Sequence, residues 1–303
     1  MEPLPNTFII GAPRSGTTSL HNYLGQHPDV FMSRLKEPRY FAYRGEEVEY
    51  QGPADPVTFN RSTVTERDEY VSLFRDAGGE AVVGETSPIY MYRADVAAAN
   101  IRQTVEDPRF IAILRNPVDR AYSDFLNMVR LGREPLLDFE TALDREGERK
   151  EKNWSPFYYY ADKGMYARQL EQYYDAFDRS KIKVFLFREL VRDGKGVVGQ
   201  IMDFLDLETK RIDLRKKHNR SQFPRVNLIH KIASYPSVKS ARGVFRGPVW
   251  RFIDWLRRKN LTEETPEMRV STRVSLENKF RPEIKRLQGI IGKSLDHWIE
   301  SDN

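Results

Sequence analysis

Directly after the apolar run Thr7-Phe8-Ile9-Ile10 comes Gly11-Ala12-Pro13-Arg14-Ser15-Gly16-Thr17-Thr18-Ser19, which crowds two glycines, one guanidinium and four hydroxyls into nine residues. At a turn from strand to helix, successive backbone N–H groups and the positive end of the helix converge on one point, and that point accepts an anion. The spacing is that of the phosphate loop G-x-x-x-x-G-K-[ST], with Thr17 in the lysine position. In nucleoside triphosphatases that lysine reaches the β and γ phosphates. The loop is therefore expected to hold a phosphate-like group, with Arg14 as its cation, and not to perform ordinary ATP or GTP chemistry. The plainer alternative is a turn whose hydroxyls only cap the helix.

A second polar cluster follows the clearest apolar run of the chain, Phe110-Ile111-Ala112-Ile113-Leu114. It is Arg115-Asn116-Pro117, with Ser123 eight residues beyond Arg115. Ligands of open α/β sheets bind beyond the carboxyl ends of strands. Eight residues are about two helical turns, so Ser123 approaches the same region. A charged fork and a neutral hydroxyl suit a dianionic phosphate. The alternative for Arg115, and more so for Arg120, is capping carbonyls or pairing with Asp119 and Asp124.

These groups need a frame. Residues 7–10, 81–84, 110–114 and 182–187 read as strands. Helices are predicted from 16 to about 26, where His27-Pro28 stops the helix, and from Pro117 to about 131. Further helices are predicted over 164–177, 196–205 and after Pro266, where Val270, Val274, Leu276 and Phe280 fall on a helical period. Apolar strands alternating with helices argue an α/β fold with a mostly parallel sheet. Residues 44–65, rich in Gly, Pro, Glu and Thr, read as an excursion loop. One domain over 1–303 is expected.

With 40% hydrophobic and 31% charged residues in 303, the chain has material for a core and is not disordered in kind. No stretch approaches the roughly 18 apolar residues of a membrane span. Residues 1–7 lack a basic region followed by an apolar run, so no retained secretory signal is expected. The absence of cysteine excludes disulfides, thiolate metal sites and a Cys nucleophile, and fits the expectation of a cytoplasmic location. The net charge is only +5, but Lys210 to Asn260 holds 15 basic residues against Asp213 and Asp254, a local +13. Such a block implies an anionic partner, or a solvated face balanced by acids folded against it.

Ala12 to Leu20 resembles the 5′-phosphosulfate loop of sulfotransferases, which use 3′-phosphoadenosine 5′-phosphosulfate (PAPS) as donor. The likeness continues in order, through His27-Pro28-Asp29-Val30. Lys36-Glu37-Pro38-Arg39-Tyr40-Phe41 is similar to the segment carrying the catalytic Glu in the carbohydrate (heparan-type) branch. Gly84-Glu85-Thr86-Ser87-Pro88-Ile89-Tyr90 resembles that branch's substrate-proximal segment, and Leu114 to Ser123 resembles the 3′-phosphate motif. Gly164-Met165-Tyr166 through Leu170, and Phe185 through Leu190, match later landmarks. The resemblance spans about residues 7–206 and implies a three-layer α/β phosphate-loop nucleotide-binding fold.

It further implies PAPS as donor, adenosine 3′,5′-bisphosphate as product and no metal. Glu37 would be the general base, with Arg14 beside it in catalysis. Arg14, Ser15, Gly16, Thr17, Thr18 and Ser19 would hold the 5′-phosphosulfate. Arg115, Ser123 and, by a loose match of 216–221, Arg220 would hold the 3′-phosphate. The acceptor would lie against Glu37, Tyr40, Phe41, Thr86, Ser87 and Tyr90. Two departures bear on that acceptor: Thr86 stands where the branch often has Lys, and Ala42 where it often has Asp. The small-molecule branch uses a His base, but His21 and His27 lie too near the first helix for that role, and His27 is expected to be structural.

The expected function is thus transfer of the sulfuryl group of PAPS to a hydroxyl of a carbohydrate or other small-molecule acceptor. A phosphate-loop kinase or ATPase is the alternative, weakened by Thr17 and by the lack of an Asp-terminated apolar strand for Mg²⁺. A non-catalytic nucleotide- or anion-binding protein is another, motivated by the basic segment. Residues 210–259 are expected to form a lid or substrate wall, with no nucleic-acid partner. Trp250 and Trp255 among basic residues admit a peripheral membrane contact, but apolar residues at helical spacing are more often core. Tyr158-Tyr159-Tyr160 read either as acceptor cleft or as core.

Overall fold

The computed structural model of the chain describes residues 4–214 and 266–299, with Phe223, Pro224, Trp255, Leu261 and Thr262 between them. Five strands form one sheet: β1 (Thr7–Gly11), β2 (Val30–Met32), β3 (Val82–Thr86), β4 (Arg109–Leu114) and β5 (Ile182–Leu186). Their order is β2-β3-β1-β4-β5, and every pairing is parallel. β1 is central, with Phe8 opposite Glu85 on one side and Phe110 on the other. Strand β2 was not expected, because three residues carry no readable period; it pairs Val30 with Val82 and Met32 with Gly84.

Both faces of the sheet are covered, which is why its strands read as continuous apolar runs. Phe8, Ile10, Phe110, Ala112 and Leu114 point to one face, where α2 (Ala94–Thr104), α3 (Pro117–Arg130), α4 (Tyr166–Ala176) and α6 (Val270–Ile291) contribute to the core. Ile9, Ile111, Ile113 and Phe185 point to the other, against α1 (Thr17–Leu24) and α5 (Gly194–Phe204). The result is three layers. Helix α3 starts as its sequence dictates: Pro117 occupies its first turn and Asn116 Oδ1 accepts from the Val118 N–H at 2.9 Å.

Residues 44–65 are packed rather than loose. Phe59 is fully buried, and the Asp55 carboxylate accepts from Gly52 N, Ser155 N and Ser155 Oγ, tying this segment to the one before Tyr158. Most of the basic segment 210–259, including Arg220, the 216–221 loop and Trp250, lies outside the described residues; Phe223–Pro224 pairs antiparallel with Leu261–Thr262. No described helix is long and apolar enough to cross a membrane.

The last helix corrects the sequence reading. Val270 and Val274 are 78% and 46% exposed, and the buried stripe is Leu276, Phe280, Ile284 and Leu287. Val270 and Val274 are four apart and share a face with each other, but that face lies roughly 90° or more around the helix from the buried stripe, so it meets solvent. Phe280→Ala is expected to destabilise the protein by about 3–5 kcal/mol, and Val274→Ala by less than about 0.5 kcal/mol. Urea unfolding of both variants checks this; equal effects would mean the packed face of α6 is wrongly assigned.

Candidate active site

All five strands end at one cleft of about 570 Å³. Residues from Pro13 to Ser19, apart from Ser15, line it after β1. Lys36, Glu37 and Arg39 line it after β2, Pro88 and Ile89 after β3, Arg115 after β4 and Phe187 after β5. Helix α3 adds Ser123, Asp124, Asn127 and Met128, and the chain beyond adds Leu131, Arg133, Pro156, Phe157 and Lys163. The carboxyl edge of a parallel sheet is where such folds bind ligands.

The loop after β1 keeps its backbone open to the cleft. Gly16 has φ +90°, a left-handed conformation that calls for glycine, and a Cβ there would also press on the Leu190 methyl at 2.9 Å. Helix α1 starts next, with no acidic residue in its first turn to offset its positive end. Arg14 Nε donates to Ser123 Oγ at 3.4 Å, and Arg115 Nη1 donates to the Arg14 carbonyl at 3.4 Å. The two polar clusters read separately in the sequence therefore form one surface. The Arg115 guanidinium also lies 5.3 Å from the Phe187 ring centroid. Burial lowers the pKa of both guanidiniums, yet they stay charged. Neither forms an ion pair among the described residues. Nearby Asp124 is already held by Lys163 at 2.7 Å and by Arg120 at 3.4 Å. Arg120 is wholly buried and also donates to the Tyr160 carbonyl, which is the pairing-and-capping alternative for that residue.

Glu37 stands across the cleft. Its N–H donates to the Thr86 carbonyl at 2.8 Å. Lys36 Nζ donates to Oε1 at 2.5 Å, and Arg39 Nη2 faces Oε2 at 3.5 Å. Burial pushes the carboxyl up, but Lys36 and Arg39 outweigh it and hold it below the ordinary carboxylate value. The group is thus ionised at neutral pH. Arg14, Glu37 and Arg39 each have φ 63°, three left-handed non-glycine residues around one cleft. Such backbone is uncommon and gathers at functional sites.

Five expected acceptor contacts stand behind the wall instead of on it. Tyr40, Phe41, Thr86, Ser87 and Tyr90 are each no more than 2% exposed, and none lines the cleft. Tyr40 stacks on Tyr70 with centroids 4.2 Å apart, Phe41 packs on Phe8, and Tyr90 Oη accepts from the Phe41 N–H. Thr86 Oγ1 meets His21 Nδ1 at 3.0 Å, and Ser87 Oγ accepts from the Arg39 N–H at 3.1 Å. The reason is the sheet: β3 is buried on both faces, and the short helix Tyr40–Tyr43 turns its aromatics into the core. Ser15 is buried too, and Tyr158, Tyr159 and Tyr160 are core. His27 is buried, with Nδ1 accepting from the Asp29 N–H and Nε2 meeting the Glu208 carbonyl, a structural role.

The cleft instead presents Lys36, Arg39, Asp124, Arg133 and Lys163, none of them singled out from sequence. Lys36 and Arg39 flank Glu37 and Asp124 follows Ser123, so adjacency was the available signal. Arg133 and Lys163 carry none; tertiary folding alone brings them in.

The model of the sulfotransferase family matches residues 5–211, more than half of the chain, and the chain belongs to that family. It is 27% identical over 248 residues to human heparan sulfate glucosamine 3-O-sulfotransferase 3B1, covering 80% of this chain and 54% of that protein. Its identity to the human 3A1 protein is also 27%, with 80% and 52% covered. The chain spans about half the length of these curated relatives. A solved sulfotransferase structure from Alicyclobacillus acidocaldarius matches with TM-score 0.77 and 30% identity, covering 98% of this chain and 100% of that one.

His21, behind the cleft, gives the fold a pH signature. Burial, with the Lys36 charge added, pushes its pKa down to about 4, against about 6.5 in an unfolded chain. The unfolded state then binds the extra proton, so stability is lost as pH falls from about 6.5 towards 4. His21→Gln is expected to flatten that fall. Unfolding free energies at pH 7 and pH 5 test it; an unchanged slope would show that other groups set the acid limb.

Proposed function

We propose that this chain transfers the sulfuryl group of PAPS to a hydroxyl of a carbohydrate or other small-molecule acceptor, with Glu37 as general base. One observation carries the reading: a single cleft joins a phosphate loop, two guanidiniums without ion-pair partners among the described residues and an ionised carboxylate. A loop with left-handed backbone at Gly16 running into a helix N-terminus, flanked by Arg14 and Arg115, fits a nucleotide with phosphates at both ends. Arg14 to Ser19 would hold the 5′-phosphosulfate, and Arg115 with Ser123 the 3′-phosphate. Arg220 stays the sequence's candidate for a further ligand there, and residues 210–259 for a lid or substrate wall. The carbohydrate acceptor class draws on the names of the relatives.

The donor supplies a sulfur whose bond to the phosphate oxygen breaks as the acceptor oxygen bonds to it. Arg14 and the loop N–H groups meet the negative charge that develops on the phosphate side. Glu37 Oε2, which carries only the 3.5 Å contact with Arg39, takes the hydroxyl proton, while Oε1 stays with Lys36. Phe157, Met128 and Leu131 form an apolar wall, with Arg133 and Lys163 as polar anchors, against which the acceptor lies.

Two variants test the assignment. Arg115→Ala is expected to weaken adenosine 3′,5′-bisphosphate by about 10- to 150-fold, roughly 1.5–3 kcal/mol, and adenosine 5′-monophosphate far less. Titration calorimetry reads both, and equal losses would move the 3′-phosphate site elsewhere. Glu37→Gln keeps the shape and removes the base. Turnover at saturating donor is expected to fall by about 10²- to 10⁴-fold with donor affinity unchanged; near-normal turnover would take Glu37 out of the mechanism.

A further inference from the structure

Arg39 is 6% exposed, packed against two adjoining rings and bonded to two hydroxyls. Its guanidinium carbon lies 4.7 Å from the Phe59 ring centroid and 5.3 Å from that of Phe157. Nη1 donates to Ser62 Oγ at 2.9 Å and to Thr63 Oγ1 at 3.4 Å. Those hydroxyls have already given their own protons away, Ser62 to the Thr58 carbonyl at 2.6 Å and Thr63 to the Phe59 carbonyl at 2.7 Å. Their lone pairs are therefore what remains for the guanidinium. The main chain is fixed as well, with the N–H on Ser87 Oγ and φ at 63°. Nη2 faces Glu37 Oε2 at 3.5 Å, and the buried Nε has no hydrogen-bond partner among the described residues.

We propose that Arg39 is a positioning residue that pins the Glu37 carboxylate to the turn at residues 59–63, making that part of the 44–65 segment a support for the base. A planar fork packed against two adjoining rings, with Nη1 spent on two hydroxyls, presents Nη2 to the carboxylate. The charged groups that face Glu37 are Lys36 and Arg39 from its own segment, Arg14 from the phosphate loop and Arg133 from the chain after α3. Lys36 holds Oε1 through a side chain that is 25% exposed and has no other hydrogen-bond or ion-pair partner among the described residues. Arg39 is anchored at several points besides the carboxylate. The catalytic consequence rests on reading Glu37 as the base; the clamp does not.

The test uses ligand-free protein with ¹³C-labelled glutamate, the Glu37 carboxyl signal being assigned by its loss in Glu37→Gln. In Arg39→Met the titration midpoint of Glu37 is expected to rise by about one unit or more, and the acid limb of the turnover profile to rise with it. Arg39→Lys, which restores charge without the fork, should bring the midpoint most of the way back and turnover only partly. Ser62→Ala with Thr63→Val leaves the charge and removes the grip; a smaller rise is expected, and this variant stands in if Arg39→Met does not fold. An unchanged midpoint in folded Arg39→Met, or in the double variant, overturns the clamp. A raised midpoint with unaltered turnover leaves the clamp standing and removes Glu37 as the base.

Discussion

Arg14 and Arg115 meet at the carboxyl edge of the sheet, the backbone of one bonded to the side chain of the other, and no carboxylate pairs with either among the described residues. Two like charges held together and partly out of water oppose folding, and the lowered pKa of each records that burden. Asp124, the acid that bears most on Arg14, is held by Lys163 and Arg120, and Asp119, which bears on Arg115, pairs with Arg273. Had Asp124 paired with Arg14, the local charge would be satisfied and an incoming anion would have to break a buried pair, a loss of about 3–5 kcal/mol. The cation pair on the far side of Asp124 therefore keeps the near side receptive. An anion that enters finds donors already oriented, so little reorganisation remains to be done on binding.

The fold carries that strain because the charged loops issue from its most buried strands. β1 and β4 are adjacent, Ile9 opposite Ile111, and each is covered on both faces by a separate apolar cluster. Their carboxyl ends are fixed to within a residue, since a slip of one would carry every side chain to the wrong layer. Left-handed backbone at Arg14, Glu37 and Arg39 is held from the same edge: the Glu37 N–H is tied to the Thr86 carbonyl on β3, and the Arg39 N–H to Ser87 just beyond it. The site is thus a property of the sheet's rim, with one contribution from the end of each strand.

Features that depend on near neighbours in the chain were legible. Gly16, Arg14, Arg115 and Ser123 lie where strand-to-helix spacing put them, and the alternation of apolar runs with helices yields the α/β architecture. The miss at Tyr40, Phe41, Thr86, Ser87 and Tyr90 has one cause. Residues close in sequence to a cleft can face away from it, and no local pattern tells which side a four-residue helix or a doubly buried strand presents. Arg133 and Lys163 fail for the opposite reason, being remote in sequence and brought in only by the packing of α3 against the 156–164 segment. The stripe on α6 shows a third limit: apolar residues on a helical period can belong to two faces, and only the packing shows which face meets the core.

The low pKa of Glu37 looks at first like a handicap for a base. A carboxylate gripped by Lys36 and Arg39 is ionised across the neutral range, but it attracts a proton weakly, and a hydroxyl is a far weaker acid still. The two facts are reconciled by the type of reaction proposed. In a loose group transfer the bond to the incoming oxygen is little formed at the transition state, so that oxygen has lost little of its basicity and keeps its proton until late. A strong base gains little under those conditions. What matters is a carboxylate that is always ionised and stands within reach of the hydroxyl when its acidity finally rises. Position is then worth more than basicity, and the contacts that lower the pKa of Glu37 are the same contacts that fix where it stands.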